Sequence, residues 1–547
     1  MMPLKWLVPA VSASIVMLTS GLFGCSASAP SRRDAGASRA VDAGQDAPSL
    51  APVLTALSVA GSTGEALVPQ FSPETHDYYV RCAAGANPLT VAMTASASAA
   101  SVLKQPFASK PAPTQTVAVT AMENQALVAA ATDGVTTTSY WVRCLPHDFP
   151  TLHMTRHPGN GPPPGYYLVG NFLPVVGQGS YAMVLDGNGV PVWYFLGASG
   201  GMGDVDQVVS GAVSFISYGT PMAGFDVRML EPLSTTPLAP SGTLVDGHEL
   251  QVVPGGHYVV LSNPVETGVD LTGIAIPLPD GGTETFGPGS SIQGCNLVEF
   301  DSTGAVAWQW IGSDHLDPVK DTTLPALATS ASLPDAGGPL VDPYHCNSID
   351  VDPANGNLLV SARNMDSIFY VDRATGAIVW KMGGTPYTKD GAAYVTMADP
   401  FYRQHDARLL PGWSPACGGK GEISVFDDES QRAGPARGVL YDVVVGIPDG
   451  GATGCAEGGS PGAARVVWQY RGAVSSAGVG SFRLTADESR IIGWGFGAPN
   501  LVFTEVDADG GDLLDFEFTD GSSSYRAIKV PLTTFDLDAM RSTAGLP

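Results

Sequence analysis

A short β-hairpin motif recurs along the second part of the chain, and this repeat is the feature that most limits the possible folds. Each copy joins an aspartate, a Gly-containing turn and a strand that carries tryptophan. The copies lie at 186–193, 301–308 and 372–380, with partial copies at 466–468 and 507–510. Aspartate and glycine favour tight turns, and tryptophan favours strands. Repeated strand pairs without long helical periodicity predict a β-propeller, whose circular closure leaves little exposed strand edge.

The length of 547 residues exceeds what one domain usually contains. We predict a lipoprotein signal peptide over 1–25, a disordered linker over 26–50, a small β-sandwich over 51–145 and a catalytic β-propeller over 146–547. About five to seven blades fit this length, and we predict six. The predicted fold class is therefore all-β, a six-bladed propeller preceded by a sandwich.

The 51–145 segment contains short alternating stretches typical of strands, for example at 54–59, 90–96 and 116–120. About six or seven such strands fit a β-sandwich. The opening of this segment is similar to the cadherin-like sandwich modules of exported bacterial proteins. We predict no catalytic residue here, and the expected role is spacing or contact within a homodimer.

Net charge excludes one large class of partners. Acidic residues outnumber basic residues 52 to 27, which gives a net charge of -25. This balance repels phosphate backbones, so we predict no nucleic-acid partner. Any site for an anionic substrate must then gather its few cations locally, which makes Arg363 more informative than it would be in a basic protein.

The N-terminus has the pattern of an export signal. Lys5 precedes a largely apolar stretch over 6–23, and Leu22-Phe23-Gly24-Cys25 resembles a bacterial lipoprotein cleavage box. An ordinary secretory signal or an uncleaved anchor are the alternatives. We predict lipidation at Cys25 and an exported periplasmic or cell-surface lipoprotein, tethered to the outer membrane through its lipid alone. No later stretch approaches the roughly 18–20 apolar residues that span a bilayer.

Six cysteines remain after Cys25, and an even number in an exported chain favours disulfides. Cys82 and Cys144 each end an aromatic-Val-Arg-Cys strand, so we predict that these two pair. Cys417 and Cys455 flank a Gly-rich insertion and form the second predicted bridge. Cys295 and Cys346 are then paired by elimination.

Three segments place a histidine or an arginine at the start or end of a predicted strand. The chain has nine histidines, and three of them share this context. Any one alone is explained as a hydrogen-bonded residue at a strand end, but together they indicate a functional site. Neutral imidazole is a nucleophile or base near pH 7. The arginine guanidinium is always charged and can donate two parallel hydrogen bonds to an oxyanion. The candidates are His248, His345, Asn347, Arg363 and His405.

These segments resemble blades of the bacterial arylsulfate sulfotransferases, also called arylsulfotransferases. Residues 345–384 (HCNSIDVDPANGNLLVSARNMDSIFYVDRATGAIVWKMGG) look like the central blade of that family. QHDARLLPG with GEISVFDD resembles the next blade, and DGHELQVVPGGHYVVL is similar to an earlier histidine-bearing blade. The resemblance runs from about residue 150 to the C-terminus. The insertion at 417–455 departs from the family pattern.

The resemblance implies a central active-site funnel and sulfuryl transfer from an aryl sulfate to a phenol without the nucleotide donor PAPS. His405 matches the histidine that becomes transiently sulfated. His345, Asn347 and Arg363 match groups around the sulfuryl oxygens, and His248 matches a further histidine of the site. No cofactor and no metal are expected. Because strand ends of different blades face one axial funnel in a propeller, His248, His345, Arg363 and His405 should lie within about 10 Å of one another, in a pocket otherwise lined by apolar and aromatic side chains.

The chemistry of these residue types agrees with sulfuryl transfer. A neutral imidazole splits one slow displacement into two, and donors aimed at the sulfuryl oxygens contribute about 3–4 kcal/mol each. His248 or His345 could protonate the leaving phenolate. Two other classes stay open, a non-catalytic propeller lipoprotein that binds a ligand or envelope partner, and a quinoprotein-like oxidoreductase. The second would need a carboxylate-rich calcium and quinone site, which the sequence does not indicate.

Overall fold

The described part of the chain is all-β, with thirty-nine strands and two short α-helices in this computed structural model. The structure describes residues 51–546 except for 62–65, 160, 199, 219–223, 239–244, 278–280, 324–328, 331–339, 431, 433 and 447–461. The predicted signal peptide, linker and lipidated Cys25 lie outside the described residues. Among the described helices, none is long and apolar enough to cross a membrane.

Seven N-terminal strands pair only with one another. They are β1 (Leu54–Gly61), β2 (Asp77–Arg81), β3 (Ala86–Ala95), β4 (Ala100–Gln105), β5 (Thr114–Met122), β6 (Ala126–Thr132) and β7 (Thr137–Leu145). They form a three-stranded sheet, β1-β3-β5, and a four-stranded sheet, β2-β7-β6-β4. Alternate residues such as Leu57, Val91 and Val142 enter one buried cluster. Cys82 and Cys144 are disulfide-bonded, with Cα atoms 5.5 Å apart, which confirms that prediction.

The next eight strands begin a series of four-stranded groups. They are β8 (Leu152–Arg156), β9 (Tyr166–Leu173), β10 (Tyr181–Leu185), β11 (Pro191–Leu196), β12 (Met202–Asp206), β13 (Ala212–Ser217), β14 (Phe225–Met229) and β15 (Ser234–Leu238). Strands β12 to β15 form one antiparallel sheet in chain order. Strand β8 instead pairs with a strand near the C-terminus, so the start and the end of the 146–547 segment share a sheet.

The third group carries an insertion of short strands. Its elements are β16 (Val245–Val253), β17 (His257–Ser262), β18 (Val265–Val269), β19 (Ala275–Pro277), β20 (Thr283–Thr285), β21 (Ser290–Gln293), β22 (Asn296–Phe300), β23 (Val306–Ile311), α1 (Gly312–His315), β24 (Thr329–Ser330) and β25 (Leu340–Val341). The main sheet has the order β16-β17-β22-β23. The insertion contributes a second sheet, β18-β21-β25-β24, and the β19-β20 pair.

Two further groups join into one nine-stranded sheet. Its strands are β26 (Cys346–Val351), β27 (Leu358–Ala362), β28 (Ser367–Val371), β29 (Ile378–Gly383), β30 (Ala393–Met397), β31 (His405–Leu409), β32 (Lys420–Asp427), β33 (Arg437–Val444) and β34 (Ala463–Arg471). Strand β30 links the meander β26 to β29 to the meander β31 to β34. Cys295 and Cys346 form a disulfide that ties the third group to β26, as predicted. The Cys417 side chain and Cys455 lie outside the described residues.

The C-terminal strands complete two sheets that the earlier strands began. They are β35 (Ser481–Leu484), β36 (Arg490–Gly493), β37 (Leu501–Val506), β38 (Asp512–Phe518) and β39 (Ser523–Val530), followed by α2 (Leu537–Thr543). Strand β38 receives β8, and β39 pairs with β9. Arg541 of α2 pairs with Asp77 at 2.7 Å, which fastens the N-terminal sheets to the end of the chain.

Six edge strands contact one another in a closed cycle, β39, β12, β16, β26, β31, β35 and back to β39. Each is the terminal strand of its sheet. Because the cycle brings distant parts of the sequence together, residues at the ends of these strands share one central region. The Asp-Gly turns lie in the antiparallel hairpins, where Asp186, Asp301, Asp372 and Asp507 accept hydrogen bonds from backbone N–H groups two residues on.

Candidate active site

Each of the three predicted histidines lies where an edge strand of the central cycle begins. His248 is in β16, His345 directly precedes β26, and His405 opens β31. The strand pairing is irregular beside each of them, between Val245 and Leu250, between Cys346 and Ser348, and between His405 and Arg408. Such bulges turn side chains out of the regular alternation, and they are common beside active sites.

His248 is held by Asp246. One oxygen of the buried Asp246 carboxylate accepts hydrogen bonds from the His248 backbone N–H, at 2.9 Å, and from its ring Nδ1. Asn263 donates to the other oxygen at 2.8 Å. Burial disfavours a charged imidazole, but the charge and hydrogen bond of Asp246 outweigh burial and raise the pKa of His248. The protonated form of His248 is therefore favoured.

His345 is held in the same way by Asp342. Its backbone N–H and its ring Nδ1 are bonded to the two carboxylate oxygens, at 2.9 and 2.6 Å. The backbone of His345 has φ of 52°, a left-handed conformation that a histidine adopts at a cost of about 1–3 kcal/mol. With 32% of its side chain exposed, His345 is the most accessible histidine of the three.

His405 is the most buried histidine of the site, and its partner lies on the next strand. Its Nδ1 is 2.6 Å from Oδ2 of Asp428, which directly follows β32. Burial lowers the pKa of His405 well below its ordinary value, and the Arg363 guanidinium lowers it further. Burial also raises the pKa of Asp428. With one proton on the Nδ1–Oδ2 hydrogen bond, Nε2 of His405 keeps a free lone pair.

The three histidines converge. The ring centroids of His248 and His345 are 5.1 Å apart, and those of His248 and His405 are 6.4 Å apart. One ring nitrogen from each of the three lies within 4.8 Å of the others. Because an aspartate occupies every Nδ1, Nε2 is the nitrogen that each ring has available for a ligand.

Arg363 lies behind His345 and carries a buried guanidinium. Its backbone N–H donates to the His345 carbonyl at 2.9 Å, which ties the two residues together. The guanidinium donates to the Asn364 side chain at 3.1 Å, to the Ala477 carbonyl at 3.1 Å and to Ser430 at 3.4 Å. Among the residues that the structure describes, no carboxylate lies within 4 Å of this guanidinium.

Asn347 is placed differently from Arg363. Its amide donates at 2.8 Å to the carbonyl of Gln404, the residue before His405, and its side chain is fully buried. Gln404 in turn donates to Ser361 and to two backbone carbonyls. Asn347 therefore fixes the start of β31, and its contact with a substrate stays a prediction.

An aromatic cluster adjoins His248. The sequence predicted aromatic side chains in the pocket but did not identify which ones. The ring of Tyr525 lies 5.9 Å from the His248 ring, and its hydroxyl donates to the His248 carbonyl at 3.1 Å. Phe172 lies against Tyr525, Tyr218 and Phe496 at 5.5, 4.9 and 5.7 Å. Phe172, Tyr218 and Phe496 are partly exposed, so the cluster offers apolar area beside the histidines.

A buried ion network lies beside the histidines. Arg526 contacts Asp204 at 2.5 Å and Glu249 at 3.0 Å, and Arg408 contacts Glu249 at 2.5 Å and Asp406 at 2.7 Å. Glu249 and Asp406 directly follow His248 and His405. Asp204, Asp206 and Glu249 are close enough to hold a cation, but guanidinium groups already bind Asp204 and Glu249. This network is therefore an internal ion cluster and not a metal site.

A cavity of about 70 Å³ opens between His248 and His345. It is lined by the two aspartate–histidine pairs, Asn263 and the Cys295–Cys346 disulfide, among others. Its volume equals roughly two water molecules, which is too small for an aromatic ring. An aryl group bound here would have to lie outside this cavity, for example against the aromatic cluster.

The aspartates behind the histidines are the site residues that the sequence reasoning missed. Asp246 and Asp342 precede their histidines by two and three positions, so local spacing could have revealed them. Asp428 is twenty-three residues from His405 and had no local signal. Only strand pairing brings Asp428 and His405 together.

Comparison with known proteins supports one family. A family model described as Arylsulfotransferase (ASST) matches residues 283–439. The matched range contains His345, Arg363 and His405, whereas His248 precedes it. The match supports the arylsulfotransferase family and, broadly, a sulfotransferase enzyme. No curated protein matches the sequence.

Solved structures similar to the chain include the WD40 β-propeller domain of Doa1 and an auxiliary nutrient binding protein from Bacteroides thetaiotaomicron. Both are 10% identical to it, with TM-scores of 0.28. The similarity covers 73% of this chain and 88% of the Doa1 domain, and 86% of this chain and 98% of the nutrient binding protein. At these values the similarity carries no functional argument.

Proposed function

We propose that this protein is a PAPS-independent arylsulfate sulfotransferase that works through a sulfohistidine at His405. It transfers a sulfuryl group from a phenolic sulfate ester to a phenolic acceptor. The observation that carries the proposal is the convergence of three aspartate-anchored histidines, one of them electrostatically coupled to a buried arginine. The family match to the segment that contains two of these histidines and the arginine supports the same reaction.

In the first step, Nε2 of His405 attacks the sulfur of the aryl sulfate. The N–S bond forms as the S–O bond to the aryl group breaks, and the aryl oxygen leaves with the bonding pair. Burial and Arg363 lower the pKa of His405, so the nucleophile is neutral and needs no deprotonation. Arg363 donates to the sulfuryl oxygens, whose charge is spread over three atoms.

His248 serves as the proton donor in this step. Asp246 raises the pKa of His248 against the effect of burial, so the ring carries a proton that the leaving phenolate takes up. In the second step an acceptor phenol attacks the sulfur and the N–S bond of sulfo-His405 breaks. The phenol proton passes to His248, which restores the starting state.

The aromatic cluster is the proposed binding surface for the aryl group. Phe172, Tyr218 and Phe496 are partly exposed, and Tyr525 links them to His248. Offset or edge-on ring contacts suit phenolic donors and acceptors.

The architecture proposed for this function is a six-bladed β-propeller with an N-terminal β-sandwich. The cycle of six edge strands and the two N-terminal sheets around one cluster support it. We also propose that the sandwich spaces or dimerises the protein. The N-terminal sequence supports export as a lipoprotein, periplasmic or at the cell surface and anchored in the outer membrane.

The function is tested with a chromogenic aryl sulfate and a phenolic acceptor. We expect turnover that depends on the acceptor. After rapid quenching without acceptor, mass spectrometry should locate one SO₃ group on His405. His405→Ala should lose both phenol release and the mass gain, while His153→Ala, which changes an exposed histidine away from the site, should keep both.

Undiminished phenol release by a folded His405→Ala variant would remove His405 from the mechanism. A chain that binds the ester and never releases phenol would instead favour a non-catalytic binding protein.

A further inference from the structure

Two features of the histidine cluster match those of protein metal centres. Each imidazole has one nitrogen fixed by a carboxylate, and the ring nitrogens that are close together lie within 4.8 Å. In metal sites, the same carboxylate–histidine hydrogen bond sets the ring orientation and makes the other nitrogen a better ligand. Three such ligands with an open fourth position are typical of zinc sites that accept an exogenous ligand.

The local charges also favour a cation. Asp246, Asp342 and Asp428 are buried, and each lies behind one of the rings. Among neighbouring cations, Arg363 has the largest effect on the pKa of His405. Arg526 is already bound by Asp204 and Glu249. Three buried carboxylates behind the rings attract a divalent ion to the nitrogens in front of them.

We propose that Nε2 of His248, His345 and His405 bind one divalent transition-metal ion, such as Zn²⁺, when no sulfate ester is bound. Imidazole nitrogens suit this class of ion better than Ca²⁺ or Mg²⁺, which prefer oxygen ligands. A tetrahedral Zn²⁺ with bonds of about 2.0–2.1 Å spaces its nitrogens about 3.4 Å apart, so the rings must approach by at most about 1.4 Å. The exposed ring of His345 has the most room to move.

The metal and the sulfate ester exclude each other, a consequence that rests on the proposed function. Metal binding occupies Nε2 of His405, whose lone pair must be free to form the N–S bond. The metal is therefore an inhibitor of sulfuryl transfer, and its removal by a chelator restores activity.

Equilibrium dialysis of the full chain against ZnCl₂ at pH 7, without any sulfate ester, tests the site directly. We expect one bound Zn²⁺ per chain, and a tetrahedral visible spectrum when Co²⁺ replaces Zn²⁺. His248→Gln should abolish this binding, and Asp342→Asn, which keeps all three ligands, should weaken it about 10–100-fold. His153→Gln is the matched control and should bind as the unaltered chain does.

Failure of the unaltered chain to bind a Zn²⁺ ion would overturn the metal site. Binding by His248→Gln and Asp342→Asn as tight as that of the unaltered chain would overturn it too. Should His248→Gln fail to fold, the Asp342→Asn comparison decides. In the assay, Zn²⁺ should raise the apparent KM for the ester without changing kcat, and EDTA should reverse the effect. A chain that binds Zn²⁺ but never releases phenol refutes the proposed function alone. A chain that turns over the ester and binds no Zn²⁺ refutes the metal site alone.

Discussion

At the residue scale, burial and neighbouring charge distinguish three histidines that share the same hydrogen bond on Nδ1. Asp246, Asp342 and Asp428 take the same position behind three rings, yet the rings differ in burial and in neighbouring charge. His405 is the most buried and is coupled to Arg363, so its neutral form is favoured. His248 is more exposed and its aspartate favours the protonated form. In the proposed mechanism the same type of side chain therefore serves both as a nucleophile and as an acid.

Arg363→Lys should keep the fold and lose at least about tenfold in kcat/KM for an aryl sulfate. A lysine ammonium is a point charge and cannot present two parallel donors to a tetrahedral anion. Steady-state kinetics check this result. The control is Arg465→Lys, since Arg465 is exposed and pairs with Asp442 away from the site. Activity of Arg363→Lys within about threefold of the unaltered chain would count against contact between Arg363 and the sulfuryl group.

The pH dependence follows from the opposite pKa shifts of two histidines. His405 must be neutral to attack, and burial with Arg363 lowers its pKa below 6.5. His248 must be protonated to donate, and Asp246 raises its pKa above 6.5 despite burial. In the presence of EDTA, kcat/KM should therefore fall on the acid side at a pH below 6.5 and on the alkaline side at a pH above 6.5.

The alkaline limb belongs to His248 and should disappear in His248→Gln, with the largest rate loss for donors whose phenol is a poor leaving group. An acid limb at or above pH 6.5 in the unaltered chain would contradict the assignment of His405 as the buried nucleophile.

At the scale of elements, bulged strand ends and a disulfide position the histidines. Cys346 directly follows His345, and its bond to Cys295 joins β26 to the segment before β22. Both cysteines line the cavity between His248 and His345. The disulfide therefore restrains the strained backbone on which His345 depends.

Replacing Cys295 and Cys346 by serine should lower kcat at least about tenfold in chains that remain folded, because His345 and the adjoining Arg363 lose their fixed position. Kinetics below the unfolding temperature measure this effect. The matched control is the Cys82/Cys144 double serine variant, whose loop of 62 residues is close to the 51 of the site disulfide. Both variants should lose similar chain-entropy stabilisation, about 2–5 kcal/mol, but the control should keep its kcat. Equal kcat losses in the two variants would show a purely structural role.

At the scale of the whole molecule, the buried ion network joins edge strands that are distant in sequence. Asp204 is in β12, Glu249 in β16, Arg408 in β31 and Arg526 in β39. The ion pairs Arg408–Glu249, Arg526–Asp204 and Arg526–Glu249 therefore cross from one edge strand of the cycle to another. The closed cycle is therefore completed by electrostatic contacts as well as by packing.

Glu249→Leu should destabilise the protein by about 3–5 kcal/mol, because Arg408 and Arg526 would keep buried charges without this partner. Urea unfolding measures the change. Asp442→Ala, which removes one partner of the exposed Arg465 pair, should change the free energy of unfolding by less than about 1 kcal/mol. Similar effects of the two substitutions would refute a central role for the network.

Much of the element pattern could be predicted because it is local. The side chains of Asp186 and Asp301 stabilise their turns by accepting hydrogen bonds from backbone N–H groups two residues on. These turns need no tertiary contact. The disulfide of Cys82 was predictable from similar flanking strands, and that of Cys295 by elimination. The ion network could not be predicted, since its members look like ordinary strand charges until their sheets meet.

The sequence by itself determined that the chain is built of short hairpins. It also indicated, from residue type and strand-end position, that His248, His345, Arg363 and His405 are candidates for one functional site. Hairpin turns depend on residues a few positions apart, so the order of amino acids suffices to specify them. Only the tertiary structure decided that Asp428 holds His405, that an aromatic cluster adjoins His248 and that the three rings converge. These relations depend on strand pairing and burial across large sequence separations. The opposite pKa shifts of His248 and His405 are also properties of the folded molecule, because burial lowers both pKa values, Arg363 lowers that of His405 further, and Asp246 outweighs burial at His248.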